Sequence, residues 1–148
     1  DTGIAVRRMA LVLAASGTSL ADLRDAIALV AAGAVTLIAA DATGDRLAAL
    51  SSRLSAADPE HAIIDAALDA TGNSTLRVLG KLLTAISRET AAAGPVPDRR
   101  GPGGAELVKL LAAGDGAAAR RWVRDLLAPP AAAGAPLTRS TDWLNLLV

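Results

Sequence analysis

The sequence predicts an all-α fold, an antiparallel bundle of about six or seven helices. Apolar residues make up 52% of the 148 residues, yet the chain has no Phe, no Tyr and only two Trp. Its core must therefore be built from Leu, Val, Ile and Ala. Alanine has the highest helix propensity of all residues, and the apolar positions recur with helical spacing between turn signals. A chain of this length is one domain by size, long enough for a single sizeable core.

The first predicted helix covers Ile4 to Ala15, where apolar residues follow a helical rhythm and Arg7 and Arg8 lie outside it. Gly17 follows directly and is a typical end signal for a helix. We therefore expect a short turn between this helix and the next one.

The second predicted helix runs from about Leu20 to Ala40. Ser19 offers an N-cap, and Asp22 stands three residues later in the capping-box position. The uncharged run 26–40 makes this helix apolar on all sides, which is typical of a central helix. The run is shorter than the roughly 20 residues that cross a bilayer, so we expect a buried core helix. Since Gly33 costs about 1 kcal/mol relative to alanine in a helix, we expect it to permit close approach of another helix.

The third and fourth predicted helices meet at a strong start signal. Residues 43–45 (Thr-Gly-Asp) begin the third helix, which should extend to about Ala56. Asp58 is the expected N-cap of the fourth helix, with Pro59 at its first helical position. That helix should continue to Asp69.

The fifth predicted helix begins after an asparagine cap and precedes a loop. Gly72 closes the fourth helix, and Asn73 can cap the fifth, which should run at least to Ile86. The stretch from Ala92 to Gly104 holds three Pro and four Gly. Because this composition does not sustain a helix, we expect a loop there.

Two apolar helices separated by a Gly-Asp turn complete the predicted bundle. The sixth covers Glu106 to Ala113, and the seventh starts on an Asp115 cap and ends before Pro129. We therefore divide the chain into a helical domain, residues 1–128, and a linker with a C-terminal tail, residues 129–148. For the apolar end of the tail, docking on the bundle, docking on a second subunit and disorder all remain open.

Charge and composition argue against several functions. Lys+Arg and Asp+Glu both number 15, so the net charge is zero, whereas gripping nucleic acid needs a basic surface. The chain has no Cys, one His, no Gly-rich phosphate loop after a strand and no recognisable pair of catalytic carboxylates. We therefore expect no catalytic residues, and no enzyme.

Three short sequence motifs occur along the chain in an order that is typical of one protein family. They are Met9-Ala10-Leu11 with Ser19-Leu20-Ala21-Asp22-Leu23, then Ile63-Ile64 through Ala70-Thr71-Gly72-Asn73, then Ala112-Ala113-Gly114-Asp115 through Ala118-Ala119-Arg120. Together they resemble the effector-binding domain of GntR-family transcription regulators, the FadR C-terminal (FCD) type. The resemblance covers most of the chain and implies the same all-helical fold.

Many members of that family hold a divalent metal with one Asp and three His inside the helical bundle. Counting along the motifs, the resemblance places the four ligand positions at Glu60, Ile64, Gly104 and Leu126. Only Glu60 has a coordinating atom, and one carboxylate cannot build a transition-metal site. We therefore expect no metal and no cofactor.

The resemblance also implies where an effector pocket would lie. Many relatives place an Arg and a Glu facing the pocket at the positions that correspond to Ile27 and Ala31. Without the metal, the Arg and the Glu, a pocket can neither orient nor neutralise a carboxylate. Either an apolar or acyl-type small molecule binds, or there is no ligand. The predicted pocket residues are Ile27, Ala31, Glu60, Ile64 and Leu126.

Simpler roles exist for the same residues. Glu60 complements the positive end of a helix dipole, and Ile64 with Leu126 can be plain core packing. We interpret His61 as an exposed first-turn residue that lacks the partners of a metal site. Trp122 falls on the apolar face of the seventh helix, so we expect it to anchor the core or a subunit interface.

The resemblance as a whole implies an effector-binding and dimerisation domain of a bacterial GntR-like transcription regulator. The chain begins at Asp1 without Met and shows no signal-peptide pattern. We therefore expect a piece of a longer protein or a fragment prepared for expression, located in the cytoplasm and without membrane contact. The resemblance implies that it forms a homodimer. It would bind DNA only through a winged-helix domain located before Asp1. Two alternatives stay open: a purely structural dimerisation module with a degenerate pocket, and a TetR-like helical ligand domain.

Overall fold

The computed structural model describes residues 2–55, 58–91 and 103–128. Its seven helices, with no β-strand in these ranges, confirm the predicted all-α bundle. The predicted tail 129–148, the predicted end of the third helix at Ala56 and most of the predicted loop 92–104 lie outside the described residues. The helices are α1 Thr2–Ala15, α2 Leu20–Ala40, α3 Asp45–Ser51, α4 Glu60–Ala70, α5 Ser74–Ala91, α6 Gly104–Ala112 and α7 Gly116–Leu126.

Helix α2 is the central helix, as its apolar composition predicts. It contacts α3, α4, α5 and α7, and Ile27, Ala31 and Val35 on its inner side are almost completely buried. Helix α7 runs antiparallel to it. Arg24 near the start of α2 bonds to the carbonyl of Leu127 beyond the end of α7, whereas the start of α7 lies beside the end of α2.

Two groups of apolar side chains hold the helices together. The larger core unites α2, α4, α6 and α7 with Leu50 of α3, and Leu68 and Leu107 are fully buried in it. A smaller cluster attaches α1 to α5 and to the start of α2 through Val6, Ala10, Leu23 and Ile86. Because the chain has no Phe or Tyr, every contact in both groups is made by aliphatic side chains, with Trp122 at the edge of the larger core.

The predicted helix starts are confirmed where a side chain caps the backbone. The Ser19 hydroxyl accepts from the Asp22 amide, and the Asp22 carboxylate accepts from the Ser19 amide, which completes the capping box of α2. Asn73 accepts from the Leu76 amide at the start of α5. Asp115 caps α7 in the same way. Each cap satisfies a backbone donor that the helix itself leaves unpaired.

Helix α3 is shorter than predicted. It ends at Ser51 instead of near Ala56, and the Ser52 hydroxyl donates to the Ala49 carbonyl at this end. Such local bonds compete with continuation of a helix. The chain then turns, so that Leu54 packs against the larger core.

The start of α4 also differs from the prediction. Pro59 is the N-cap and Glu60 the first helical residue, so the predicted Asp58 cap is displaced by one position. The Asp58 carboxylate instead accepts from the Ser55 backbone amide. The first amides of α4 are therefore left without a side-chain cap.

The prediction that Gly33 permits close approach of another helix is wrong within the chain. A Cβ built on Gly33 meets nothing within 4 Å, whereas one built on Gly80 would lie 2.5 Å from a methyl carbon of Leu68. Close approach inside the bundle therefore occurs at Gly80 of α5, where the buried Leu68 of α4 packs against the backbone.

In the ranges that the structure describes, α2 is the one helix that is long and apolar enough to span a membrane by length and composition. Its mean hydropathy over the most apolar window is 1.8. The contacts of α2 with four other helices are those of a core helix in a bundle, although the outer side of α2 carries the exposed Leu29.

Candidate functional site

The candidate site is built around an ion pair between α2 and α4. The Arg24 guanidinium forms a bidentate ion pair with the Glu60 carboxylate, with Nη1 3.1 Å from Oε1 and Nη2 3.1 Å from Oε2. The Arg24 side chain is 14% exposed and that of Glu60 is 32% exposed. Paired nitrogen–oxygen contacts of this kind are directional and stronger than a single contact between the same charges.

The same guanidinium also donates hydrogen bonds to carbonyls at the end of α7. Arg24 Nε donates to the Leu127 carbonyl at 3.0 Å, and Nη2 donates to the Leu126 carbonyl at 3.4 Å. Carbonyls at the end of a helix have no partner within it and carry partial negative charge. One cation therefore ties together the start of α2, the start of α4 and the end of α7. We call Arg24, Glu60 and these two carbonyls the Arg24 clamp.

Sequence reasoning predicted Glu60 in the site but missed Arg24. A signal was present, because Arg24 shares one face of α2 with Ile27 and Ala31, at spacings of three and seven residues. Arg24 was unremarkable in the sequence because a charge near a helix start usually faces water. Its role depends on Leu127, which lies 103 positions further along the chain.

The predicted pocket residues are brought together by the fold. Ile27, Ala31 and Ile64 are 4%, 1% and 2% exposed, and all three belong to the larger core, against which Leu126 packs. Glu60 lies beside them in the Arg24 clamp. The structure thus shows Ile27, Ala31 and Ile64 as core residues, and a role of the five residues in binding an effector stays a prediction.

The four ligand positions implied by the resemblance have distinct environments. Glu60 pairs with Arg24, Ile64 is core, and the Leu126 carbonyl accepts from Arg24. Gly104 is buried at the start of α6, and a Cβ there would lie 3.0 Å from atoms of Leu54. Across residues 2–55, 58–91 and 103–128, no group of three or more His, Cys, Asp or Glu is placed to hold a metal ion.

Two further single residues bear on the site. His61 is exposed in the first turn of α4, as predicted. Trp122 is partly buried against the larger core, and its buried indole Nε1 has no hydrogen-bond acceptor in the described part of the chain. Trp122 thus contributes apolar contact area, in keeping with the predicted anchor role in the core.

A second ion-pair group joins α4, α5 and the turn that follows α3. Asp69 accepts from Arg53 and lies 3.0 Å from Lys81 Nζ. Partial burial pushes the pKa of Asp69 up, but the hydrogen bonds and charges of Arg53 and Lys81 outweigh it and hold the pKa below its ordinary value. These side chains are more exposed than Arg24, so this group stabilises the surface of the bundle.

An open groove of about 460 Å³ runs between α2 and α7. Leu29, which is 69% exposed, lies on its α2 side, with Asp25 and Arg124 as its charged residues. The remaining lining residues are Ala28, Leu127 and Ala128. The groove is shallow and mainly apolar, and it lies next to the Arg24 clamp through Leu127.

Comparison with known proteins finds no match: no family model, no curated protein and no solved structure matches this chain. The site therefore has to be interpreted from its own chemistry. That chemistry is a guanidinium that links three helices at the edge of an aliphatic core.

Proposed function

We propose that this chain is the effector-binding and dimerisation domain of a bacterial, GntR-like cytoplasmic transcription regulator, and that it works without a metal ion. The Arg24 clamp carries this proposal. The resemblance puts a metal ligand at Glu60 and another at Leu126, and Arg24 provides a cation that contacts the Glu60 carboxylate and the Leu126 carbonyl. A side-chain cation in that position supports a domain whose helices are tied together without metal.

The clamp also suggests how an effector would act. An apolar molecule entering between Ile64 and Leu126 would have to separate α4 from the end of α7, and the Arg24 clamp bridges that same gap. An effector shifts the domain only if it binds one arrangement more tightly than the other. In this proposal that difference moves α7 relative to α2, and thereby changes the spacing of the DNA-binding domains in a dimer.

Metal independence is tested by thermal unfolding. We expect the same melting temperature with and without a strong chelator, and no stabilisation by zinc, nickel or manganese. The same assay with fatty acids, acyl-CoA and small carboxylates tests the effector, with a rise expected for apolar or acyl-type molecules. Chelator-sensitive melting would contradict the proposal.

The regulatory role is tested by joining the chain to a winged-helix domain that represses a reporter only as a dimer. Repression by the fusion, compared with none by the winged-helix domain alone, supports a dimerisation function. Relief of repression by a molecule that raises the melting temperature supports effector binding. A fusion that never represses would count against the whole proposal.

A second candidate is a purely structural dimerisation module. The observation that favours it is the nearly complete burial of Ile27, Ala31 and Ile64 in the larger core. This candidate predicts repression by the fusion together with no melting shift for any molecule in the panel.

A further inference from the structure

We propose that a second copy of this chain docks on the outer side of α2, across the groove between α2 and α7. We call this surface the Leu29 face and define it by Asp25, Leu29 and Gly33 of α2 with Arg124 of α7. The inference rests on the proposed function, which requires a dimer, and it names the surface that forms it.

Leu29 is the first observation. Its side chain is 69% exposed, the highest value among the large apolar side chains that the structure describes as exposed. It is two positions from both Ile27 and Ala31, so it points about 160° away from these core residues at 100° per residue. A leucine in the middle of a central helix and directed into water is costly unless something covers it.

Gly33 is the second observation. It lies four residues after Leu29, on the same side of α2, and nothing in the structure lies within 4 Å of a Cβ built there. Packing inside the bundle therefore does not require glycine, although glycine weakens a helix interior by about 1 kcal/mol relative to alanine. Close approach of a helix from a second copy explains both Gly33 and its position one turn from Leu29.

The charges of the groove identify the occupant as a copy of the same surface. Asp25 and Arg124 both line the groove, and neither has an ion-pair partner among the described residues. In a two-fold dimer the same patch meets itself, so Asp25 of each copy can pair with Arg124 of the other. A lipid surface offers no such matched pairing. Because the groove carries one acidic and one basic side chain, Asp25 and Arg124, it favours a protein partner.

The oligomeric state of the full chain tests the proposal. Sedimentation over a range of concentrations should show a dimer for the unmodified chain. Leu29→Glu should weaken dimerisation at least about tenfold. The matched control is Val78→Glu on α5, a side chain that is 66% exposed and does not line the groove. It should leave the dimer unchanged.

Two further sets of variants test the charges and the glycine. Asp25→Arg and Arg124→Asp should each weaken the dimer, and the double variant should restore it. Gly33→Ala should weaken the dimer in the unmodified chain. In the Leu29→Glu background, where the copies are separated, the same change should raise the melting temperature because the added methyl meets open space.

Several outcomes overturn the proposal. One is an unmodified chain that stays monomeric at about 100 µM, a concentration far above the dissociation constants typical of specific dimers. Others are a dimer that Leu29→Glu leaves intact, dimerisation that appears only after removal of residues 129–148, and binding to lipid vesicles in place of dimerisation. A dimer insensitive to Leu29→Glu but still repressing in the fusion would refute this surface alone, whereas an intact dimer that fails to repress would refute the proposed function.

Discussion

Replacing Arg24 by methionine should destabilise the bundle far more than replacing a surface arginine. Methionine keeps much of the apolar stem of the side chain but removes the guanidinium. The change leaves the Glu60 carboxylate and the carbonyls of Leu126 and Leu127 without their shared donor. The end of α7 also loses a favourable positive charge.

The size of the effect follows from the burial of the groups. Breaking a fully buried ion pair costs about 3–5 kcal/mol, whereas an exposed pair contributes about 0–1 kcal/mol. Arg24 is 14% exposed, but Glu60 is 32% exposed and regains water once Arg24 is gone. We therefore expect a loss of about 2–3 kcal/mol in the free energy of unfolding, between these two limits. That loss corresponds to a fall of about 6–10 °C in the melting temperature for a chain of this length.

The assay is urea denaturation of the Arg24→Met chain, with Arg53→Met as the matched control. Arg53 also pairs with a carboxylate, that of Asp69, but its side chain is 48% exposed and we expect a loss below about 1 kcal/mol. A double-mutant cycle with Glu60→Gln should give a coupling of about 1 kcal/mol or more between Arg24 and Glu60. If Arg24→Met costs no more than Arg53→Met, the argument that Arg24 ties three helices together is wrong.

Two further predictions concern packing and pH. Gly80→Ala should lower the free energy of unfolding by about 1–3 kcal/mol, because the added Cβ would lie 2.5 Å from a methyl carbon of the buried Leu68. If urea denaturation shows the variant to be more stable than the unmodified chain, this account of the packing is wrong. Asp69→Asn should cost less than about 1 kcal/mol at pH 7, since the pair is partly exposed. The folded-state pKa of Asp69 is lowered despite burial, by Arg53 and Lys81, so its stabilising contribution exists above the unfolded pKa of about 3.9 and is lost as the pH falls below it. The difference in free energy of unfolding between wild type and Asp69→Asn should therefore be smaller in urea titrations at about pH 3 than at pH 7. An equal difference at both pH values would refute the stabilising role of the Asp69 carboxylate.

Most helix starts could be predicted because their signals are local. The hydroxyl of Ser19, the amide of Asn73 and the carboxylate of Asp115 each bond to an amide within three residues, so the cap is visible in the sequence itself. The end of α3 could not be predicted in this way. It depends on a serine hydroxyl that turns back on the helix and on the need to bring Leu54 against the larger core.

The candidate site shows the same division between local and distant signals. Glu60 was included in the predicted site because the family resemblance, counted back from Asn73, places a ligand position there, and its location in the first turn of α4 follows from Pro59. Arg24 was missed because its partners lie at the start of α4 and at the end of α7. The spacing of residues within one helix does not show which residues of other helices a side chain contacts. For Gly33 the sequence predicted close approach of another helix, but the bundle leaves that side of α2 open.

A guanidinium and a metal ion in the same position have different consequences for an effector. A metal ion can accept an oxygen from a ligand as a further coordination bond, whereas four contacts of the Arg24 guanidinium already go to Glu60 and to the end of α7. A carboxylate ligand would have to displace Glu60, leaving that carboxylate unpaired, so this exchange gains little. Under the proposed function, an effector would therefore gain its affinity mainly from apolar contacts with the core, in line with the proposed apolar or acyl-type molecules.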